Sequence, residues 1–213
     1  MRPAPTLKRL PVALAAGAAL VGIAVAPASA ATTPLAFACQ ATPPIGGAQT
    51  FEVASGVDAT APASVAAGSA FRVSLAPTTM TVPGSVSGYT VKNINNIKLS
   101  MPVPANSTLT GQSLSGGSGL GSGTPSVAVS GGAVTMTVPG PINGGATFTL
   151  PTVNLDLQAG AAGTSITTQL AGTSYASPGL TFTAKVPVVF VTINVPTSCY
   201  PAPNPVLSTT TVS

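Results

Sequence analysis

The chain contains no histidine and no tryptophan, and only 5% of its 213 residues are charged. Histidine is the side chain that most readily gains or loses a proton near neutral pH, and it is the commonest metal ligand. Its absence excludes Ser-His-Asp and Cys-His catalysis and any zinc site that uses histidine. The composition therefore argues against most enzymes and predicts a protein without catalytic residues, metal or cofactor.

Charged side chains are also few and scattered beyond residue 30. Four basic groups against three acidic ones leave a net charge of +1 there, because three of the seven basic residues precede residue 31. So small a charge does not attract phosphate backbones, and we expect no nucleic-acid partner. The charged residues of this part are Glu52, Asp58, Arg72, Lys92, Lys98, Asp156 and Lys185.

No apolar run beyond residue 30 reaches the 18 or so residues that a membrane-spanning helix needs. The first 30 residues instead have the layout of a secretory signal peptide, with a basic start and an apolar stretch over residues 10–26. Ala28-Ser29-Ala30 matches an A-x-A site and predicts cleavage between Ala30 and Ala31. We expect a secreted or cell-envelope-associated protein with no transmembrane anchor after cleavage.

Only two cysteines are present, Cys39 near the predicted mature start and Cys199 near the end. In an exported protein an even pair predicts a disulfide. Closing so long a loop stabilises the folded state by roughly 5 kcal/mol in the chain-entropy model. A redox-active pair would normally have the short C-x-x-C spacing, so we interpret this pair as structural.

Alternation of apolar and polar residues with a period of two is the dominant pattern of the chain. It places apolar side chains on one sheet face and hydroxyls or amides on the other. Threonine and valine favour strands, and glycine and proline interrupt the pattern at short intervals. The pattern predicts an all-β antiparallel, immunoglobulin-like β-sandwich. The apolar sets are Phe71, Val73 and Leu75; Ile97, Leu99 and Met101; Val134, Met136 and Val138; Val153, Leu155 and Leu157; Leu180 and Phe182.

The chain also repeats itself, because residues 79–84 (TMTVPG) recur identically as residues 135–140. The same offset maps Ile97, Leu99 and Met101 onto Val153, Leu155 and Leu157. We predict one sandwich over residues 35–200 with two related halves, about 66–110 and 122–160, although two small sandwiches would also fit. Residues 111–123 are expected to be a flexible connection or exposed loop, and residues 31–34 and 201–213 to be disordered.

Several local motifs carry a resemblance. Residues 62–75 (PASVAAGSAFRVSL) resemble the start of a strand in bacterial immunoglobulin-like domains. Together with Cys39, a P-x-x-x-G turn at residues 43–47 and a late Cys-Tyr-Pro at residues 199–201, the layout resembles secreted, largely uncharacterised actinobacterial surface proteins. The resemblance implies a sandwich fold and an exported location, and it transfers no catalytic residue.

The candidate residues for chemistry are sparse. Glu52, Asp58 and Asp156 are the only carboxylate side chains, and nothing in their positions predicts the close pair that glycoside hydrolysis needs. Residues 116–123 (GGSGLGSG) lack the lysine of a phosphate loop. Tyrosines at 89, 175 and 200 could contact a ligand or simply pack at strand ends.

Two functions follow from these observations. The first is a non-enzymatic exported cell-envelope protein that acts as a structural, adhesive or interaction module, with envelope components or other surface proteins as partners. The alternative is an extracellular binding protein for an apolar lipid or glycan ligand, which a large apolar cavity between the sheets would favour. An enzyme of unrecognised type is the third and least supported option.

Overall fold

The computed structural model describes residues 32–213, so the predicted signal peptide and its cleavage site at Ala30 and Ala31 lie outside the described residues. Within that range the chain forms eighteen strands and no helix. The strands are β1 (Thr32–Ala41), β2 (Gln49–Thr60), β3 (Ser64–Val65), β4 (Ala70–Pro77), β5 (Met80–Thr81), β6 (Ser85–Val86), β7 (Tyr89–Thr90), β8 (Asn93–Pro102), β9 (Ser107–Ser115), β10 (Ser126–Ser130), β11 (Ala133–Val138), β12 (Ile142–Asn143), β13 (Thr147–Phe148), β14 (Thr152–Ala159), β15 (Ser165–Thr168), β16 (Leu180–Val188), β17 (Val191–Pro201) and β18 (Ser208–Val212).

An eleven-stranded antiparallel sheet forms the body of the protein, in the order β10-β11-β8-β16-β17-β1-β2-β4-β14-β9, with β12 added beside β8. The two outermost strands, β9 and β10, contact each other, so the sheet folds over on itself and encloses its apolar face. The expected all-β antiparallel sandwich is confirmed. Strands from both predicted repeat units, residues 66–110 and 122–160, belong to this one sheet.

The alternating pattern works as predicted on the central strands. On β14 the side chains of Val153, Leu155 and Leu157 are at most 1% exposed, while the residues between them face outward. Burying each such side chain stabilises the fold by about 1.5–3 kcal/mol. The corresponding side chains of β8 and β11 are also buried, namely Ile97, Leu99, Met101, Val134, Met136 and Val138.

A bulge at Asn96 interrupts the alternation on β8. Asn95 lies opposite Thr183 and Lys98 opposite Thr181, so β8 carries one extra residue there. Asn96 has a φ of 52°, a left-handed conformation that asparagine tolerates better than most residues. The bulge turns Ile94 inward as well as Ile97, although strict alternation would place one of them outside.

The repeated hexamer occupies two different environments. Residues 135–138 belong to β11, which pairs with β8 in the main sheet. In the first copy only Met80 and Thr81 form a strand, β5, which pairs with β13 in a separate two-stranded sheet. The two copies of the hexamer therefore differ in pairing, although Met80 and Val82 are buried like Met136 and Val138. The internal duplication stays a prediction.

The predicted disulfide is present between Cys39 on β1 and Cys199 on β17. The two residues are directly opposite in the antiparallel register, with their Cα atoms 4.1 Å apart. Neither side chain is exposed. The bond thus fixes the pairing of the first strand with the last strand of the main sheet.

The expectation that residues 201–213 are disordered is wrong. Residues 208–212 form β18, which pairs with β15 and, in parallel, with β3. Val212 is buried beside Val65 and Ile166 in a small second core, and Thr210 donates a hydrogen bond of 2.8 Å to the carbonyl of Pro62. The Ser/Thr/Pro-rich composition concealed an alternating strand whose buried positions are Thr210 and Val212.

Two other segments expected to be flexible are also ordered. The expected disorder of residues 31–34 is wrong from Thr32 onward, because β1 begins there and pairs Thr32 with Asp58. Within residues 111–123, the first five belong to β9, and Ser118 then forms a bridge with Thr149. Gly119 lies so close to the backbone of Thr147 and Phe148 that a side chain at that position would clash. The glycine-rich run is a packed loop.

We predict that replacing both cysteines, Cys39→Ala together with Cys199→Ala, lowers the free energy of unfolding by about 2–5 kcal/mol. The reason is the long loop that the bond closes in the unfolded chain. Urea unfolding of the variant, compared with the wild type in the presence and absence of reductant, measures the loss. Equal stability of the oxidised wild type and the variant would contradict a structural role for the bond.

A candidate ligand cavity between the folded halves of the sheet

A cavity forms because β4 ends before it has paired with the whole length of β2. The two strands pair only between residues 57–60 and residues 74–77. β4 ends at Pro77, which has no N–H to continue a ladder. Residues 49–55 of β2 are therefore paired with β1 on one side only, and the sheet opens beside them.

The cavity has a volume of about 380 Å³. That size falls within the range of about 300–1,000 Å³ typical of small-molecule sites. Its walls come from both halves of the folded sheet and from the segment after β4. The principal apolar lining side chains are Leu35, Phe37, Phe51, Val53, Val57, Met80, Val82, Ile94, Ile97, Leu99, Phe148, Leu150, Phe182, Ala184, Val186, Ile193 and Val195.

Polar groups are rare in the lining, and none of the described lining residues is charged. The polar side chains are Gln49, Ser55, Thr81, Tyr89 and Thr197. Thr197 is the most deeply buried of them, at 2% exposed. Its hydroxyl donates to the carbonyl of Val195 at 3.5 Å, which is long for a hydroxyl, whose hydrogen bonds are ordinarily about 2.5–3.0 Å. The Thr197 hydroxyl therefore has hydrogen-bonding capacity left for a ligand.

Some apolar wall residues remain only partly buried even though they point to the inside of the sandwich. On β2 the inward residues Phe51 and Val53 are half-buried, and the outward residues on either side of them, Thr50, Glu52 and Ala54, are exposed. Close-packed interiors leave few voids larger than a water molecule. These side chains face open space that the protein's own residues do not fill.

The mouth of the cavity lies at one end of the sheet. Ile45, Tyr89 and Val191 line the cavity and are themselves 84%, 53% and 62% exposed. They belong to the β1–β2 loop, to β7 and to the first residue of β17. Three segments at the same end of the sandwich thus surround the opening.

The three carboxylates take no part in this cavity, and the register keeps Asp156 apart from the other two. Glu52 is exposed on the outer face of β2, opposite Ala38. Asp58 accepts a hydrogen bond from the Thr32 hydroxyl. Asp156 lies on β14 and accepts a 2.7 Å hydrogen bond from Nε of Arg72 on β4. Among the described residues, no group of three or more acidic or cysteine side chains is placed to hold a metal ion.

The ion pair between Arg72 and Asp156 affects the titration of both groups. The hydrogen bond from Arg72, with the attraction of its charge, lowers the pKa of the Asp156 carboxyl, and the same hydrogen bond raises the pKa of Arg72. Both side chains are well exposed, so the pair lies in a strongly screening environment and contributes little to stability. The two residues are directly opposite each other in the pairing of β4 with β14.

The tyrosines that were candidates for ligand contact have different locations. Tyr89 lies at the cavity mouth. Tyr175 and Tyr200 pack edge to face, with ring centroids 5.2 Å apart, and do not line the cavity. The remaining cavity residues were not predicted, since their alternating pattern also fits an ordinary filled core. The cavity arises because β4 pairs with only part of β2, and the extent of that pairing depends on where β4 ends.

Comparison with known proteins bears on the fold alone. No protein-family model and no curated protein matches the chain. A crystal structure of a Corynebacterium diphtheriae protein described as membrane anchored is similar, with a TM-score of 0.57 and 18% sequence identity. The likeness covers 86% of this chain but only 38% of that one. No helix long and apolar enough to cross a membrane occurs within residues 32–213.

We predict that Arg72→Gln raises the pKa of Asp156 toward its ordinary value, because the hydrogen bond and the positive charge are both lost. The lowered pKa means that the pair stabilises the fold above the unfolded pKa of Asp156 and loses this effect as the pH falls through the folded pKa. Carboxyl NMR shifts followed during an acid titration measure the change. An identical Asp156 titration in both proteins would contradict the ion pair.

Proposed function

We propose that the protein is a non-enzymatic, exported cell-envelope protein that binds an apolar ligand in the cavity between the folded halves of its sheet. The single observation that carries the proposal is the unfilled, apolar space of about 380 Å³ with an open mouth. Export rests on the signal-peptide pattern of residues 1–30. The confirmed fold is compatible with a surface module of this kind.

The cavity would cost stability if it had no occupant. Partly exposed walls such as Phe51 and Val53 leave apolar surface in contact with water, which is unfavourable by about 25 cal/mol for each Å². A shift of neighbouring side chains could fill the space, yet a continuous sheet and the Cys39–Cys199 bond hold the walls apart. A ligand with a hydrocarbon body would cover these surfaces.

The lining also indicates the chemistry of the ligand. Uncharged walls give a carboxylate or phosphate no partner inside the cavity, so a charged group would have to remain at the mouth. A glycan would need many more hydrogen bonds than five polar side chains supply. We therefore favour a lipid-like ligand with a hydrocarbon chain and at most one buried hydrogen-bonding group, for which Thr197 is the partner.

A purely structural or adhesive role has less support than ligand binding. Its support is the neutral, hydroxyl-rich outer face and the covalent link between β1 and β17. Neither feature accounts for an open cavity. The structural role and the binding role predict different results in a direct binding experiment.

We predict that Val53→Asp lowers affinity for the neutral fluorescent probe N-phenylnaphthylamine by at least about tenfold, because a carboxylate would be placed in the apolar wall. Ala54→Asp is the matched control, since the neighbouring residue of β2 lies on the exposed outer face. It should leave probe affinity unchanged. Probe fluorescence titrations, with thermal unfolding of each variant, measure both effects.

A second variant separates cavity binding from general surface stickiness. Ser55→Phe makes the wall more apolar but occupies the space, so we expect weaker probe binding. Stronger binding by Ser55→Phe, or equal binding by all variants, would contradict the cavity proposal. Mass spectrometry of an organic extract of the purified protein would identify a bound lipid directly.

A further inference from the structure

Exposed apolar side chains are concentrated around the cavity mouth. Seven large apolar residues are exposed within the described part of the chain, and five of them lie on the three segments that surround the opening. These five, which we call the apolar rim, are Ile45, Tyr89, Val189, Phe190 and Val191. Single exposed apolar residues are common on protein surfaces, whereas a cluster marks an interaction site.

The β16–β17 hairpin presents two rim residues most openly. Val188 pairs with Val191, so the connection consists of Val189 and Phe190 alone, which are 92% and 95% exposed. Two-residue hairpins normally use glycine, asparagine or aspartate, because these residues accept a positive φ. Val189 has a φ of 37°, which is rare for a β-branched residue. The hairpin therefore carries two apolar side chains at a position where polar turn residues would be easier to accommodate.

Charge is distributed unevenly along the sandwich. Lys185 lies four residues before Val189 of the hairpin tip, and the backbone N–H of Lys92 donates to the carbonyl of Lys185 at 2.8 Å. Both lysines are exposed, whereas Lys98, the third lysine of the described residues, lies opposite Thr181, away from the hairpin tip. The carboxylates lie away from this end: Glu52 is level with Tyr200, near the far end of β17, and Asp58 is opposite Thr32 at the start of β1. Asp156 is further still, on β14.

We propose that the apolar rim docks the protein onto the surface of a lipid bilayer that contains anionic headgroups. The exposed hairpin tip, with Ile45 and Tyr89 beside it, would enter the headgroup region and remove its apolar surface from water. Lys92 and Lys185 lie behind the rim, where they would meet negative headgroups. The charge complementarity favours a membrane over a second copy of this chain, since two copies meeting rim to rim would bring four lysines together.

Docking would also bring the cavity mouth against the bilayer. Ile45, Tyr89 and Val191 belong both to the rim and to the cavity lining, so apolar surface is continuous from the tip into the interior. A lipid chain could then pass between bilayer and cavity without crossing water. This exchange step rests on the proposed function, whereas docking itself does not.

The docking test uses the mature protein and sucrose-loaded vesicles made of equal parts phosphatidylglycerol and phosphatidylcholine. Wild-type protein should sediment with these vesicles and less with vesicles of phosphatidylcholine alone. Phe190→Ser should reduce the partition coefficient by about ten- to a hundredfold, because a fully exposed aromatic anchor is lost. Val129→Ser, which changes an exposed valine of β10 outside the rim, should bind like wild type.

Two comparisons keep docking separate from ligand binding. Phe190→Ser should still bind the neutral probe in solution, and Val53→Asp should still sediment with vesicles. Loss of probe binding by Val53→Asp together with normal sedimentation of Phe190→Ser would overturn docking and leave the cavity proposal intact. If light scattering showed a dimer that Phe190→Ser dissociates, and neither protein bound vesicles, the rim would be a contact between copies and the membrane proposal would be overturned.

Discussion

The pairing of β1 with β17 is the contact on which the rest of the structure depends. In the main sheet, β10, β11, β8, β16 and β17 form one half, and β1, β2, β4, β14 and β9 form the other. Hydrogen bonding between these two halves of the sheet runs through β1 and β17, and the disulfide lies on that seam between Cys39 and Cys199. The chain crosses from one half of the sheet to the other several times. Fixing β1 against β17 therefore also fixes how far apart the two halves lie on either side of the cavity.

The cavity is a consequence of that fixed separation and of the early end of β4. A sheet that continued past Pro77 would pair with all of β2 and close over it. Instead the chain turns away, and the free half of β2 presents Phe51, Val53 and Ser55 to open space. A flexible core would collapse into such a space, since unfilled volume costs packing energy. Here the walls belong to a continuous hydrogen-bonded sheet, so collapse would require breaking its ladder.

How much could be predicted from the sequence depended on whether a feature is local. Alternation on β14 predicted which side chains are buried, because a strand's period of two is a property of the strand itself. The cysteine pair could be predicted because only one pairing is possible. β18 was missed since its partners, β15 and β3, are distant in sequence and its hydroxyl-rich composition is typical of disorder. Thr210 can be buried there because its hydroxyl donates a hydrogen bond to the carbonyl oxygen of Pro62.

The sequence does not predict the cavity, although a cavity would favour the ligand-binding alternative. Its residues have the same apolar pattern as a filled core, so no local signal separates Val53, which borders empty space, from Val153, which is fully packed. The difference arises from the end point of a neighbouring strand. Asn96 gives a second example, because the bulge that turns Ile94 inward depends on the pairing of β8 with β16 and not on β8 alone.

The scarcity of charge affects both the cavity and the rim. A cavity without charged groups can hold a hydrocarbon without leaving an ion unsolvated, and burial of an unpaired ion is among the largest penalties in protein interiors. The acids Glu52, Asp58 and Asp156 lie away from the rim end, so Lys92 and Lys185 have no nearby acid to neutralise them among the described residues. The other two basic residues of the described chain lie away from the rim: Arg72 is paired with Asp156, and Lys98 is opposite Thr181. Neutral walls, an apolar rim and two lysines without nearby acids are the three features on which the proposed lipid binding and membrane docking rest.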